Sequence, residues 1–304
     1  MKKVTENLYV VKEFDPNVQD CCVYLVDSQS DEGLILIDAG IHSEPFKEIE
    51  KFGFDIGNLK HCLITHGHLD HFGACPMLKE FNKTMKFYAH ELAAARIEEK
   101  PTGQYVEQFY GDYNYEPIKL DRKIKDNDIL KFGALEFKCI HIPGHTKDSV
   151  AYLLELDNKT ILFGGDLPGI AININDGNLD DYIVSMEKLL KLDIDILCEG
   201  HEDIIEPSEK VKKFIKNYIT FNQGLNTVVL ENPHDTKALL ELTENCYELG
   251  FYPTALDFCN LLLEINPNHS EGQDLLREIK KHNPAKQEFI KRLIKENYKG
   301  ELRI

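Results

Sequence analysis

The chain reads as an α/β domain followed by a smaller all-α domain. Three observations point there. Short apolar runs bounded by turn residues recur through the first two-thirds of the chain. Beyond Pro207 the strand signals vanish and every apolar pattern has a period near 3.6. The length, 304 residues, suits about two domains at roughly 100–200 residues each. The boundary is expected near residue 205, dividing 1–205 from 206–304.

The elements follow in order. Val23–Val26 and Leu34–Ile37 are strand-like, separated by the polar loop Ser28–Gly33. Ser43–Phe52 has helical spacing, with Ser43 placed to cap it. Cys62–Ile64 reads as a buried strand ending in Thr65, Phe72–Phe81 as a helix, and Met85–Tyr88 as a strand. Leu135–Ile140, Val150–Leu156 and Thr160–Phe163 are further strands, the last two joined by an Asp157-Asn158 hairpin turn. Leu179–Leu190 is helical and Ile194–Cys198 is the final strand. Helices are then expected at 208–222, 236–249, 253–264, 270–282 and 285–297, with Pro207, Pro233, Pro253, Pro267 and Pro284 as punctuation. The helix-prone stretch Glu91–Tyr115 carries Tyr105, Tyr110, Tyr113 and Tyr115. It reads equally as a surface insertion and as a lid over a pocket.

Composition narrows the function classes. Hydrophobic residues at 42% and charged residues at 29% are enough to bury a core and exclude a disordered chain. A formal charge of −17 repels phosphodiesters and anionic headgroups, so neither nucleic acid nor membrane is expected as a partner. No apolar run approaches the ~20 residues of a membrane span. The polar start Met1–Phe14 does not resemble a secretion signal, which leads to an expectation of a cytoplasmic protein. The eight cysteines include no C-x-x-C pair. Cys62, Cys139 and Cys198 lie in apolar runs as small hydrophobes, and the Cys21-Cys22 pair receives no role.

Chemistry concentrates in Thr65-His66-Gly67-His68-Leu69-Asp70-His71. In extended backbone alternate residues point the same way, so His66 and His68 are expected to reach one metal together. Asp70 and His71 are adjacent and expected to splay apart, which suits a second metal beside the first. His145 and His201 sit in the Gly-flanked turns Pro143-Gly144-His145-Thr146 and Glu199-Gly200-His201-Glu202, and Asp166 ends Phe163-Gly164-Gly165-Asp166. All lie at or just past strand ends, where one sheet edge can gather them. His42, His61, His90, His141, His234, His269 and His282 are read as ordinary polar or core histidines.

This pattern resembles the metallo-β-lactamase superfamily of metal-dependent hydrolases. The signature H-x-H-x-D-H is complete as His66, His68, Asp70 and His71, and the later ligands match as His145, Asp166 and His201. The turn Ile37-Asp38-Ala39-Gly40 resembles the family's early Asp-containing turn, whose carboxylate supports the metal site. The resemblance spans residues 1 to about 205 and implies a four-layer αβ/βα sandwich with the site along one edge. It implies that His66, His68 and His145 hold one metal, that Asp70, His71 and His201 hold another, and that Asp166 bridges them. Imidazole and carboxylate suit two divalent ions, zinc first, with iron or manganese as alternatives. Within the superfamily the chain looks most like the glyoxalase II and lactonase branch. That implies hydrolysis of a small ester, thioester or lactone, an anionic one among the candidates, by a metal-bridging hydroxide, with Asp70 or Asp166 taking the proton. An iron oxidoreductase of the same fold, of persulfide dioxygenase or diiron oxygen-binding type, is the competing implication. One departure is Thr146-Lys147-Asp148-Ser149, a run in which the family often carries Gly.

Leu249-Gly250-Phe251-Tyr252-Pro253-Thr254-Ala255, with Asn266-Pro267 beyond, is similar to a tetratricopeptide repeat. The helical part is expected to pack on the catalytic domain or on a second copy, with a peptide groove as the sharper alternative. Lys286, Lys291, Arg292, Lys295 and Lys299 give the last helix a basic face, which a substrate carboxylate would fit if it folded over the site.

Overall fold

Apolar residues on both faces of a strand demand a layer on each side, and this dictates the architecture of the N-terminal part. The computed structural model describes residues 1–13, 15, 20–99, 116–169 and 176–282. Its first sheet has seven strands in sequence order: β1 (Lys2–Lys3), β2 (Leu8–Lys12), β3 (Val23–Asp27), β4 (Leu34–Ile37), β5 (Leu59–Leu63), β6 (Lys86–His90) and β7 (Arg122–Ile124). The second runs β12 (Ile196–Glu199), β11 (Lys159–Gly165), β10 (Val150–Leu156), β9 (Leu135–His141) and β8 (Ile129–Phe132). Pairing is antiparallel from β1 to β4 and parallel from β4 to β7. In the second sheet only β11 and β12 are parallel.

Alternation sorts the side chains. Tyr24 and Val26 of β3 enter the core between the sheets with Tyr152, Phe137 and Phe163, while Val23 and Leu25 enter the outer core. That outer core is closed by Phe46 and Ile49 of α1 (Glu44–Lys51), Leu69 and Phe72 of α2 (Leu69–Phe72), Cys75 and Leu78 of α3 (Cys75–Phe81), and Ile97 of α4 (Ala94–Glu98). Across the molecule, Ala151 of β10 meets Tyr182, Met186 and Leu189 of α5 (Leu179–Leu189). Helix, sheet, sheet, helix is the four-layer sandwich.

Local readings meet the structure in detail. Asp157 and Asn158 form the hairpin turn with φ of 53° and 61°, the doubly left-handed pattern of a type I′ turn. Ser43 occupies the N-cap of α1 without a side-chain capping bond, and Pro45 in the first turn preorganises the start instead. The 72–81 helix begins earlier, at Leu69, and is split into α2 and α3 around Gly73-Ala74. Strands β1, β2, β7 and β8 escaped the sequence reading, β1 being two exposed lysines. In β8 only alternate residues are buried, and β7 is three residues long with two exposed. The four apolar residues of β2 sit among the charges of the chain start. All eight cysteines are buried free thiols.

From Ser208 on, the described residues are helical: α6 (Ser208–Asn226), a π-helical turn (Thr227–Glu231), α7 (Thr236–Glu248), α8 (Tyr252–Ile265) and α9 (Ser270–Ile279). Helix α6 serves two cores. Val211 and Ile215 pack with Tyr182 and Met186 of α5, whereas Tyr218, Phe221 and Leu225 pack with Leu239, Leu242 and Phe258 of α7 and α8. Asn222 Nδ2 also donates to the Pro168 carbonyl at 2.9 Å. The helix expected at 285–297, its basic face, and the four tyrosines of 105–115 lie outside the described residues. Among the described residues no helix is long and apolar enough to cross a membrane.

Candidate metal centre

The loops following β4, β5, β9, β11 and β12 meet at one edge of the two sheets, and they carry all seven candidate ligands. His66 and Gly67 lie in a bend after β5 and His68 is extended again, so simple alternation does not explain why the two histidines converge. They converge through different ring nitrogens: His66 Nε2 lies 2.9 Å from His68 Nδ1, and His145 Nε2 lies 3.1 Å from the same atom. One proton on that nitrogen can serve only one neighbour at a time, so an imidazole lone pair remains aimed into the trio. A cation is what such a trio fits.

The second set is close by. Asp70 and His71 do not splay apart. Both lie in α2, and Asp70 Oδ2 is 3.7 Å from His71 Nε2. His201 Nε2 stands 3.2 Å from Asp70 Oδ2. Asp166 spans both sets. Its Oδ2 is 3.3 Å from His145 Nε2 and 3.8 Å from His66 Nε2, while its Oδ1 is 3.1 Å from His71 Nε2 and 3.4 Å from His201 Nε2. His71 Nε2 and Asp166 Oδ1 are buried and make no hydrogen bond to each other or elsewhere, although they face each other. Buried polar atoms in that condition need a partner, and a divalent cation between them would supply it.

Supporting bonds fix the imidazoles. Asp38, at φ 58°, accepts from Thr65 N and Thr65 Oγ1 at 2.8 Å each, and its Oδ2 is 2.8 Å from His71 Nδ1. That carboxylate selects the tautomer that leaves His71 Nε2 free to ligate. Gly200 must be glycine, because a Cβ there would lie 2.5 Å from Asp166 Oδ1. A small cleft beside the trio is lined by Thr65, Ser149, Leu167 and Tyr182.

Electrostatics divide the cluster. Burial, reinforced by neighbouring imidazoles, pushes His66 and His68 well below the usual histidine range. Burial also opposes charge on His71 and His201, but Cys21, Asp166, Asp38 and Asp70 around the first, and Asp166 and Asp70 around the second, hold both well above it. Burial would raise Asp70 and Asp166, and it is outweighed by His71 and His201 in both cases, so both carboxyls stay low. The result is a neutral His66–His68 pair beside a charged carboxylate–imidazole set. Three residues that sequence reasoning passed over flank the site: Asp148, Glu199 and Arg96. Asp148 had shown only as a departure from the usual turn, and Glu199 only as a neighbour of His201. Burial together with the nearby Asp166 carboxylate pushes Glu199 up to about 8.

The family model of the Metallo-beta-lactamase superfamily matches residues 17–201, a span that contains all seven converging side chains. The chain belongs to this superfamily. Among relatives of this superfamily member, hydroxyacylglutathione hydrolase GloC of Haemophilus influenzae is 30% identical over 191 residues, covering 60% of this chain and 85% of that protein. The hydroxyacylglutathione hydrolase of Dictyostelium discoideum is 24% identical over 233 residues, covering 74% and 72%. Among solved structures, MEM-A1, a subclass B3 metallo-beta-lactamase from a soil metagenome library, superposes with a TM-score of 0.60 at 21% identity, covering 73% of this chain and 93% of that one. At that identity the likeness speaks for the fold, and it agrees with the four layers described above.

Proposed function

We propose that this metallo-β-lactamase superfamily member is a dinuclear metal-dependent hydrolase of small hydroxyacyl thioesters. The observation that carries the reading is Asp166, whose two oxygens face two different donor sets. His66, His68 and His145 would hold one divalent ion, Asp70, His71 and His201 the other, and Asp166 would join them. Zinc suits these nitrogen and oxygen donors. When bound, such ions supply Lewis-acid polarisation of a carbonyl and a water made acidic enough to act near neutral pH. The chain's own residues do the rest. Asp70 Oδ2 and Asp166 are the carboxylates placed to take up a proton at the reacting edge. Asp38 keeps His71 oriented. The thioester class is supported by the relatives, two of which are named hydroxyacylglutathione hydrolases. Lactones and simple esters share the same acyl chemistry and are the comparison substrates.

The test is metal analysis of protein purified without added metal, paired with turnover of a hydroxyacyl glutathione thioester, a lactone and a neutral ester. Two zinc ions per chain with preferred thioester cleavage is the expected result. Iron with a visible absorption band and no hydrolysis would overturn the reading in favour of redox chemistry.

A further inference from the structure

The converging side chains stand on loops, and a loop holds a ligand still only where its backbone is anchored. Two buried carboxylates outside the seven provide anchors, one on each side of the centre. Asp148 is completely buried, three residues beyond His145, and its Oδ2 accepts the Gly67 N–H at 2.7 Å. Gly67 is the residue between His66 and His68, so one carboxylate joins the two loops that carry the imidazole trio. The fit leaves no slack: a Cβ on Gly67 would stand 2.9 Å from Asp148 Oδ2 and 3.1 Å from Arg96 Cδ. Arg96 offsets the buried charge, with Nη1 3.6 Å from Asp148 Oδ1.

Glu199 works on the other side. It too is completely buried. Its Oε1 accepts the Leu167 N–H at 3.0 Å and its Oε2 the His201 N–H at 2.6 Å. Leu167 follows Asp166, so Glu199 staples the loop of the bridging carboxylate to the loop of His201. Tyr24 donates its hydroxyl to the Glu199 carbonyl at 2.6 Å and fixes that strand end. Burying a carboxylate is costly, and backbone N–H groups can be satisfied by neutral carbonyls. Two buried acidic side chains spent on backbone beside ligands are explained by a demand for rigid ligand placement.

We propose that Asp148 and Glu199 are positioning residues that divide the centre between them, Asp148 holding the His66–His68–His145 side and Glu199 the Asp166–His201 side. This rests on the ligand assignment of the proposed function. The experiment is zinc titration against a chromophoric chelator in two backgrounds: His201→Ala, which spares the trio, and His68→Ala, which spares the other set. Asp148→Ala is expected to weaken zinc binding about 10–100-fold in the first background and to leave the second unchanged. Glu199→Gln, which offers one oxygen to two N–H groups, is expected to weaken binding about 10–100-fold in the second background and only a few-fold in the first, where Asp166 is one donor beside three imidazoles. Asp148→Asn keeps an acceptor for Gly67 and restores most of the loss, an effect that general scaffolding would not show. If Asp148→Ala does not fold, Asp148→Ser, too short to reach Gly67, carries the same expectation. Equal weakening in both backgrounds, or none in either, overturns the proposal. If the parent variants do not each keep one zinc, the ligand assignment itself falls and takes this inference with it, so the two failures are told apart.

Discussion

At the residue scale, the convergence of the seven candidate ligands was legible because each falls at or just past an expected strand end and together they make the family's spaced pattern. Asp148 and Glu199 were not legible, because on paper an acid that accepts backbone N–H bonds looks the same as a solvated one. Asp38 shows how a supporting residue is tested. Asp38→Asn loses the charged acceptor for His71 Nδ1, so zinc affinity at the Asp70–His71–His201 set should fall about 10–100-fold, measured by chelator competition. The titration pattern gives a second test. His71 and His201 are raised, so their contribution to stability is complete below the ordinary histidine value of about 6.5 and is lost as pH rises through their folded values. His66 and His68 are lowered, so theirs is complete above about 6.5 and is lost as pH falls. Asp70 and Asp166, also lowered, lose theirs only in stronger acid, below about 3.9. Glu199 is raised, so its contribution is lost as pH climbs from the ordinary value of 4.5 to about 8. Protein stripped of metal should therefore melt at its highest temperature between about pH 4.5 and 6.5 and lower on either side. A melting temperature that climbs or falls steadily across pH 4–9 would contradict this.

At the element scale, strands buried on both faces were the easiest to read. Leu34–Ile37 was found with its observed ends because all four of its residues are apolar and buried, and Val150–Leu156 because Glu155 alone interrupts its apolar run. Short strands that expose half their residues, such as β8, carry too little pattern to be seen. The bend at His66-Gly67, within a segment expected to be extended, is hidden for a related reason. Its course is set by Asp148 and Arg96 from distant parts of the chain, which local sequence does not display. Turn chemistry yields its own test. Gly200→Ala places a methyl group 2.5 Å from Asp166 Oδ1 and 3.0 Å from His71 Cε1. The variant should keep its far-ultraviolet circular dichroism yet bind fewer than two zinc ions per chain. Full zinc content in that variant would show that the loop can move aside without cost to the centre.

At the scale of the whole molecule, the helical part leans on the sandwich through α6. Val211 and Ile215 are each about 1% exposed against Tyr182 and Met186, and burial of such side chains contributes about 1.5–3 kcal/mol each. A fragment ending at residue 205 strips that cover from α5 and should aggregate when the full chain does not, as measured by light scattering during refolding. A soluble fragment with full thioesterase turnover would instead make the helices an independent module. The shift to a helical period after Pro207 was readable in the sequence. That α6 would be shared between two cores was not, because both of its apolar stretches have the same periodicity and differ only in the partners they meet.

Asp166, with one oxygen towards each donor set, is the proposed joint between two metal sites. The most direct measurement is the zinc-to-protein ratio by elemental mass spectrometry, after equilibration with zinc and gel filtration, for the unaltered chain and for Asp166→Ala. The expected ratio is two for the first, and below two for the second together with loss of thioester hydrolysis. Two zinc ions and unchanged turnover in Asp166→Ala would contradict it.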